Sequence, residues 1–379
     1  AQAILAGGRS TDPWPSDHAL TEPTSVPITC CSMVACDSLL AWTLAAFLAA
    51  RASGLRVSRG AASVSGRSPC NGVNGSWHWE QHKDPAEYYS LENATDDRVG
   101  NMQKNFKPLG TQIYIRPFYW EYAPEREDCT FVKMNRASFC AGMERRSLTR
   151  FFVVGDSISY LMAESFWGLV GDGSGIGWQL NISGLHKKIK CPAGEVQFTF
   201  VRNDRLSNAT EKEQCGDTCI PWWSTYVNDE QPTLLLANTG IHAHTLESFA
   251  RDFDNFTGLL SSVSRRRLKD HVFFRSILPG HDNCFSLTSP FFKVKSFSLD
   301  GPEAKKYTWY LVPAFNEYAK QAAATFAASQ PLSFTVLDAY MMTVLRPDGH
   351  RGDLGDCLHY YLPGAPDWWN HLLATELLA

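Results

Sequence analysis

Short apolar runs rich in β-branched and aromatic residues alternate along this chain with longer stretches in which apolar residues recur at helical spacing. The short runs predict buried strands at residues 151–154, 196–201, 233–237, 272–274 and 334–337. The longer stretches predict helices at residues 158–170, 244–260 and 314–328. Strands that alternate with helices in this way are typical of an α/β fold, in which helices cover both faces of a mainly parallel sheet.

The amino-terminal part of the chain follows a different pattern. Residues 38–50 form an apolar run of thirteen residues, which suits the core of a signal peptide and is short for a bilayer span. We therefore predict a signal peptide or a short membrane anchor at residues 33–52, preceded by an extension at residues 1–32 that has no pattern we can interpret. Residues 53–69 are rich in Ser, Gly, Ala and Arg and predict a flexible stem, followed by a folded domain at residues 70–379.

Composition supports a large folded domain and argues against one class of partner. Hydrophobic residues make up 44% of the 379 residues and aromatic residues 12%, which is enough for a sizeable core, and nothing in the middle of the chain marks a second domain. The formal net charge is −4, whereas a protein that binds nucleic acid needs a basic surface. We therefore expect no nucleic-acid partner.

Cysteines and asparagine sequons indicate an oxidising compartment. Eight cysteines follow residue 69, and their scatter suits disulfides better than a metal cluster, because the one close pair, Cys215 and Cys219, has no matching Cys or His pair nearby. Five Asn-x-Ser/Thr sequons are more than a cytosolic enzyme has reason to carry. The candidate N-glycosylation sites are Asn74, Asn93, Asn181, Asn208 and Asn255.

A serine motif, Gly155-Asp156-Ser157-Ile158-Ser159, follows the strand predicted at residues 151–154. Gly155 permits a tight exit from that strand, and Ser157 would lie at its carboxyl end, where open α/β sheets place their sites. The first backbone N–H groups of the following helix would point at the serine and favour a developing oxyanion. Because Gly-Asp-Ser also occurs in ordinary strand-to-helix turns, this motif by itself leaves both interpretations open.

A second motif, Asp356-Cys357-Leu358-His359, lies about two hundred residues later. A serine hydroxyl needs an imidazole to take its proton, and the imidazole needs a carboxylate to fix its tautomer. Asp356 and His359 are three residues apart, so both side chains would face the same way on one turn, which Pro363-Gly364 would end. Together the two motifs favour a serine enzyme that transfers or hydrolyses acyl groups.

Both motifs also carry a resemblance. With the segment Tyr-Tyr-Leu-Pro-Gly-Ala-Pro-Asp-Trp-Trp-Asn at residues 360–370, they resemble the paired signature of the trichome-birefringence-like and PC-esterase family, within the SGNH (GDSL-like) hydrolase superfamily. The resemblance covers roughly residues 120–379 and implies an SGNH-type, flavodoxin-like three-layer sandwich for the predicted catalytic domain at residues 70–379. Matching pieces fall between the motifs in the expected order: Asn238-Thr239-Gly240, Phe273-Phe274-Arg275-Ser276, and Leu345-Arg346-Pro347-Asp348-Gly349-His350.

The family pattern also implies roles for individual residues. Ser157 would be the nucleophile, His359 the general base and Asp356 its partner. Asn238, together with Ser157, would bind the oxyanion, and a disulfide would join Cys284 to Cys357. The glycine that completes the oxyanion site is left open among Gly168, Gly171, Gly173 and Gly184.

This chain departs from the family at two positions. Tyr160 stands where plant members usually carry an arginine, and Tyr361 stands where they carry a second cysteine. The candidate substrate-binding residues are Tyr160, Gly240, Arg275 and His281.

Two other groups of residues have competing interpretations. His242 and His244 follow a predicted strand end, where a polar loop is favoured over a metal site. Four tryptophans occur as adjacent pairs that could stack on sugar rings, although such pairs are more often core residues. They are Trp222, Trp223, Trp368 and Trp369.

We therefore predict a lumenal O-acyltransferase, specifically an O-acetyltransferase, that modifies polysaccharides or glycoprotein glycans through an acyl-serine intermediate. The donor would be acetyl-CoA or another acetyl donor as co-substrate, with no bound cofactor and no metal. We expect the Golgi lumen, with secretion as the alternative, and membrane association through the apolar residues 38–50. Two alternatives stay open: a carbohydrate esterase, which would use the same triad with water as acceptor, and a non-catalytic glycan-binding protein.

Overall fold

The computed structural model describes residues 68–80, 120–171, 185–208, 220–297, 306–352 and 355–379. The predicted segments 1–32 and 33–52 lie outside these ranges, as does the stem 53–69 except for its last two residues. Asn93, Asn181, Cys215 and Cys219 lie outside them as well. No helix within the described ranges is both long and apolar enough to cross a bilayer.

Strands and helices alternate through most of the described chain. The strands are β1 (Gly75–Trp79), β2 (Trp120–Pro124), β3 (Arg150–Gly155), β4 (Leu185–Cys191), β5 (Gly194–Arg202), β6 (Thr233–Ala237), β7 (His271–Arg275), β8 (Ser333–Leu337), β9 (His350–Arg351) and β10 (Asp356–Tyr360). The α-helices are α1 (Arg136–Arg145), α2 (Ser157–Val170), α3 (Trp223–Val227), α4 (Leu246–Val263), α5 (Val312–Ser329), α6 (Tyr340–Val344) and α7 (Ala365–Leu378).

Six strands form the central sheet, in the order β4-β5-β3-β6-β7-β8. Strand β3 pairs in parallel with β5 and β6, and β7 and β8 continue the parallel part, whereas β4 is an antiparallel edge strand. The predicted α/β fold with a mainly parallel central sheet is confirmed, and all five predicted strands belong to this sheet. Strand β4 was missed because its sequence, LHKKIKC, has a single fully buried residue, Ile189, and lysines that protect an exposed edge.

Two hydrophobic cores lie on opposite faces of the sheet. Every residue of β3 is buried, and its side chains alternate between the two faces. Phe151 and Val153 pack in the core that contains α1, α2 and α7, and Phe152 and Val154 pack in the core that contains α4 and α5. The protein therefore has three layers, with helices on both sides of the sheet.

Helix α7 is bonded to α2, although the two are far apart in the sequence. The Ser165 hydroxyl donates to Asp367 Oδ1 over 2.6 Å, and Asn370 Nδ2 donates to the Met162 carbonyl over 3.0 Å. Because α2 begins at Ser157 and α7 begins six residues after His359, this contact brings the two sequence motifs together. In the same region Trp368 and Trp369 are buried, like Trp222 elsewhere, so these tryptophans are core residues.

Three disulfides join described residues: Cys70 to Cys129, Cys140 to Cys191, and Cys284 to Cys357. Cys191 ends β4 opposite the first residue of β5, so its disulfide lies at the amino edge of the parallel strands. The disulfide from Cys284 to Cys357 joins the segment after β7 to β10 and therefore lies beside the carboxyl-terminal motif.

Candidate active site

Ser157 is the first residue of α2, directly after the helix N-cap Asp156. The Asp156 carboxylate accepts hydrogen bonds from the backbone N–H groups of Ile158 (2.9 Å) and Ser159 (3.0 Å). The expectation that these first helical N–H groups face an oxyanion is therefore wrong, because the N-cap side chain already occupies them. Within the described part of the chain, no residue accepts a hydrogen bond from the Ser157 N–H.

Gly155 allows three strand ends to meet at this point. A Cβ atom there would collide with the Ser159 hydroxyl and the Asn238 carbonyl, so only glycine fits. The Gly155 carbonyl accepts a hydrogen bond from the Asn203 N–H over 2.9 Å. The nucleophile motif is thus held between the ends of β5 and β6, at the carboxyl edge of the sheet.

His359 lies between Ser157 and Asp356. Its Nε2 is 2.7 Å from Ser157 Oγ, and its Nδ1 is 2.7 Å from Asp356 Oδ2. The His359 side chain is 26% exposed and that of Asp356 31%, so the group is partly open to solvent. A carboxylate, an imidazole and a hydroxyl in this order have the geometry needed to activate a serine.

The second motif is a strand and not a turn. Residues 356–360 form β10, which pairs with β9 through an irregular register. Asp356 Oδ1 accepts from the N–H groups of Leu358 (3.1 Å) and His359 (3.0 Å), which bends the strand at its start. The predicted turn is therefore wrong, but this local bend still brings the carboxylate and the imidazole to the same side.

Asp356 is held in its ionised form. Burial by itself would raise the pKa of the Asp356 carboxyl, but hydrogen bonds from the His359 ring and from two backbone N–H groups outweigh it. The pKa is therefore well below its usual range. An ionised Asp356 can accept the Nδ1 proton of His359 and so leaves Nε2 as an acceptor toward Ser157.

Asn238 is fixed in orientation by Arg275, the last residue of β7. Arg275 Nη2 donates to Asn238 Oδ1 over 2.7 Å, and Asn238 Nδ2 donates to the Arg275 carbonyl over 2.7 Å. This pair of bonds defines which end of the amide is oxygen and which is nitrogen. An amide carries two N–H groups, and the second one of Asn238 has no partner among the described residues.

Arg275 itself is buried. Burial lowers the pKa of its guanidinium to about 10, and Asp156 at 3.9 Å opposes that shift, so the group keeps its charge at neutral pH. It also donates to the Ser159 hydroxyl over 3.3 Å. Its position links the end of β7 to the first turn of α2 and to Asn238, and it is 1% exposed.

The other predicted substrate contacts also lie in the interior. Tyr160 is 2% exposed and packs against Phe200, and Gly240 has a φ of 125° with the Ile277 side chain where a Cβ would lie. His281 is 4% exposed and hydrogen-bonded on both ring nitrogens. None of these residues presents a side chain at the surface, and neither does Arg275, so we assign no substrate contact to any of them.

Two of the four candidate oxyanion glycines can be placed. Gly168 lies near the far end of α2 and Gly171 is its C-cap, roughly 16–21 Å along the helix from Ser157. That distance excludes both from the oxyanion site. Gly173 and Gly184 lie outside the described residues.

Two remaining groups of predicted residues are at the surface. His242 Nε2 is 3.5 Å from Asp204 Oδ2, and His244 is exposed. Across the described ranges, no cluster of three or more His, Cys, Asp or Glu side chains could hold a metal ion. The sequon residues Asn74, Asn208 and Asn255 are exposed and so accessible to modification.

An open, mainly parallel α/β sheet with a serine, an imidazole and a carboxylate in series at its carboxyl edge is consistent with the class of SGNH-like acyl esterases and transferases. Comparison with protein families is in keeping with that class: residues 220–376 match the PC-esterase model, described as a GDSL/SGNH-like acyl-esterase family found in Pmr5 and Cas1p. Residues 220–376 are therefore similar to the PC-esterase family, and trichome-birefringence-like proteins are among the relatives that the chain resembles.

Curated relatives match shorter parts of the chain. Protein trichome birefringence-like 42 of Arabidopsis thaliana is 51% identical over 51 residues, which are 12% of this chain and 14% of the relative. Protein trichome birefringence-like 43 of the same plant is 30% identical over 128 residues, 29% of this chain and 30% of the relative. Xyloglucan O-acetyltransferase 1 of Arabidopsis thaliana is 39% identical over 66 residues, 14% of this chain and 16% of the relative. Each of these matches spans less than a third of the relative's length.

Proposed function

We propose that this protein is an O-acyltransferase that moves an acetyl group onto a polysaccharide or glycoprotein glycan through an acyl-serine intermediate. The observation that carries the proposal is the series of contacts from Asp356 to His359 to Ser157, each of 2.7 Å. Similarity to a xyloglucan O-acetyltransferase supports a glycan hydroxyl as the acceptor.

Acylation of Ser157 is the first half of the proposed reaction. Ser157 Oγ attacks the carbonyl carbon of the acetyl donor, acetyl-CoA or another activated acetyl compound, while its proton passes to His359 Nε2. Asp356 stabilises the imidazolium that forms. The negative charge on the former carbonyl oxygen is stabilised by the Ser157 N–H and by the second N–H of Asn238. The leaving group then departs with the proton from His359.

Transfer to the sugar is the second half. His359, neutral again, takes the proton of a sugar hydroxyl, whose oxygen attacks the acyl carbonyl. The bond to Ser157 Oγ breaks, and Oγ regains a proton from His359. A water molecule in the place of the sugar would make the same site an esterase, so the two activities differ in which acceptor is positioned for attack.

The proposed location is the secretory pathway, with the Golgi lumen first and secretion as the alternative. The disulfides from Cys70 to Cys129, Cys140 to Cys191 and Cys284 to Cys357 support this location, because structural disulfides persist in oxidising compartments. An activated acetyl group and a glycan acceptor must both be present there.

Pre-steady-state kinetics with p-nitrophenyl acetate test the serine mechanism. We expect a burst of one equivalent of p-nitrophenol, and mass spectrometry should find acetyl on the peptide that contains Ser157. Ser157→Ala should lose the burst and nearly all turnover, on the order of a thousandfold or more, while the fold survives. Ser262→Ala, on the exposed side of α4, is the control and should behave as wild type. A folded Ser157→Ala protein with substantial turnover would end the serine mechanism.

The acceptor arm of the same experiment separates the alternatives. For a transferase, slow turnover after the burst should accelerate when the correct oligosaccharide is added, and acetyl should appear on the sugar. Fast turnover in water that ignores every glycan and releases only acetate would make the protein an esterase. Glycan binding without any acyl-enzyme would make it a non-catalytic binding protein.

A further inference from the structure

Two buried histidines face each other behind the strand that carries His359. His281 follows β7, and His350 begins β9. Their rings meet with His281 Nδ1 2.7 Å from His350 Nε2, and each residue is 4% exposed. Neither histidine has a role in the proposed acyl transfer.

The contacts of this pair continue at both ends to backbone carbonyls. His281 Nε2 is 2.8 Å from the carbonyl of Val344, the last residue of α6. His350 Nδ1 is 3.2 Å from the carbonyl of His359. An unbroken series of contacts therefore leads from the end of α6 to the backbone of the proposed base.

Other bonds attach the loop that contains His281, residues 279–284, to β10. The His281 N–H donates to the Cys357 carbonyl over 3.0 Å, and the Tyr360 hydroxyl donates to the Pro279 carbonyl over 2.8 Å. A disulfide joins Cys284 to Cys357. Strand β10 is not part of the central sheet, so this loop and β9 replace the neighbours that a sheet strand would have.

We propose that His281 and His350 are positioning residues for His359: the pair fixes β10 against loop 279–284 and α6, and so holds the His359 imidazole between Ser157 and Asp356. This inference rests on the proposed role of His359 as the base. Displacement of a catalytic group by about 1 Å can lower the rate on the order of a hundredfold, so loss of a rigid support for His359 should be measurable in kcat.

The protons available to the pair define its tautomers. Burial lowers the pKa of His281 to about 4, although the Val344 carbonyl opposes the shift. Burial and the neighbouring His281 also lower the pKa of His350 well below its usual value. The pair is therefore neutral at neutral pH and carries two N–H groups. The short contact with Val344 requires the proton on His281 Nε2, so His281 Nδ1 accepts the proton of His350 Nε2.

In these tautomers His350 Nδ1 carries a lone pair and does not donate to the His359 carbonyl 3.2 Å away. The pair therefore supports β10 through the pairing of β9 with β10 and through the bond from the His281 N–H to the Cys357 carbonyl. His350 is then held by His281 and by the Tyr360 ring, whose centroid is 4.1 Å away. A third proton would complete the series but would put a positive charge beside His359, which must itself take a proton. The described groups near the pair also include Asp356, the His359 ring, and the rings of Phe291 and Phe297.

Three variants separate positioning from packing. His350→Phe keeps a ring against Tyr360 and removes the bonds, so we expect kcat to fall about 10- to 100-fold with KM unchanged. His350→Gln places an amide N–H near His281 Nδ1 and should recover part of kcat although it loses the ring. His271→Phe is the matched control, because His271 is half-buried with a pKa also lowered to about 4 by burial, but lies at the amino end of β7. It should keep wild-type kcat.

Nuclear magnetic resonance of protein with ¹⁵N-labelled histidine gives a reading that does not depend on turnover. Wild-type protein at neutral pH should carry protons on Nε2 of His281 and of His350, and His350→Phe should shift or broaden the signal of the His359 proton bonded to Asp356. The opposite tautomers in wild type, or wild-type kcat with an unchanged His359 signal in folded His350→Phe, would overturn the proposal. If His350→Phe does not fold, the tautomers of the wild-type protein and the kcat of His350→Gln test the proposal instead. Turnover retained by Ser157→Ala would instead refute the proposed function, and the His359 signal would still report on the pair.

Discussion

Arg275 illustrates how a single buried residue organises the site. Its guanidinium is desolvated, and the cost is offset by hydrogen bonds to Asn238 and Ser159, by Asp156 at 3.9 Å, and by the Trp369 ring, whose centroid is 5.3 Å from Cζ. Because the planar guanidinium donates in fixed directions, it defines the orientation of the Asn238 amide, which a flexible ammonium would not do. The residue therefore acts on the proposed oxyanion site without a contact to substrate.

Asp356 provides a prediction at the same scale. Its pKa is lower in the folded protein than in the unfolded chain, so the ionised carboxylate stabilises the fold above about pH 4, and this contribution is lost as the pH falls through the folded value. Asp356→Asn should therefore remove a stability advantage that wild type keeps at pH 5–7 and loses progressively below about pH 4, as the pH falls toward the lowered pKa of the folded protein. Urea unfolding of both proteins across this range measures the difference.

The same variant should lose activity on the order of 10³- to 10⁴-fold at neutral pH, because His359 would no longer be held in the right tautomer. Asp128→Asn is the control: a hydrogen bond from Arg126 also lowers the pKa of Asp128, but that pair is exposed and solvent screens it. It should change neither activity nor the pH dependence of stability. Parallel stability curves for wild type and Asp356→Asn would contradict the assignment of Asp356.

Among the elements, β10 and α7 decide whether the site assembles. Strand β10 is attached to loop 279–284, and α7 is bonded to α2 through Ser165, Asp367 and Asn370. The proposed base therefore reaches the nucleophile through two attachments, neither of which belongs to the central sheet. Substitutions that weaken these attachments should therefore reduce turnover more than substitutions elsewhere that lower the unfolding free energy by the same amount.

Two disulfides test this difference. Replacing both cysteines by serine at Cys284 and Cys357, or at Cys140 and Cys191, opens loops of 73 and 51 residues and should cost each protein about 2–5 kcal/mol in unfolding free energy. Only the first pair supports β10, so only that variant should lose kcat. Denaturant unfolding and steady-state kinetics on both variants make the comparison. Equal losses of kcat would show that the disulfide beside the site has no special role.

For the whole molecule, the proposed location in the secretory pathway determines how the protein must be produced for every experiment. The described part of the chain contains three disulfides and exposes Asn74, Asn208 and Asn255, each within a sequon. Protein made through a secretory pathway is therefore expected to be oxidised and N-glycosylated, whereas reduced cytosolic expression would lack both features.

Glycosylation at Asn255 gives a direct test. Protein secreted from a eukaryotic host should carry a glycan on Asn255, detected by peptide mass spectrometry before and after treatment with a glycosidase. Thr257→Ala should abolish this glycan and Thr257→Ser should keep it, because the sequon accepts either hydroxyl residue but no other. An unmodified Asn255 peptide in all three proteins, with Asn74 and Asn208 also bare, would argue against the proposed location.

Hydrophobic patterning located much of the fold. Strands β3, β5, β6, β7 and β8 were predicted within two residues of their ends, because strands buried on both faces are near-continuous apolar runs. Helix α2 was found by its periodicity, together with most of α4 and α5. Strands β1, β2, β4, β9 and β10 were not predicted, since none of these short or edge strands is a continuous apolar run.

The sequence by itself determined the residue types of the proposed site and the strand end at which the serine lies. Local motifs and apolar periodicity depend only on residues that are close together in the sequence. Only the tertiary structure decided that Asp156 caps α2, that Arg275 orients Asn238, and that His281 meets His350 across 69 positions. It also decided the distance from His359 to Ser157, residues 202 positions apart. The physical reason is that burial patterns specify which faces are covered, whereas the packing of whole elements specifies which distant polar groups become partners.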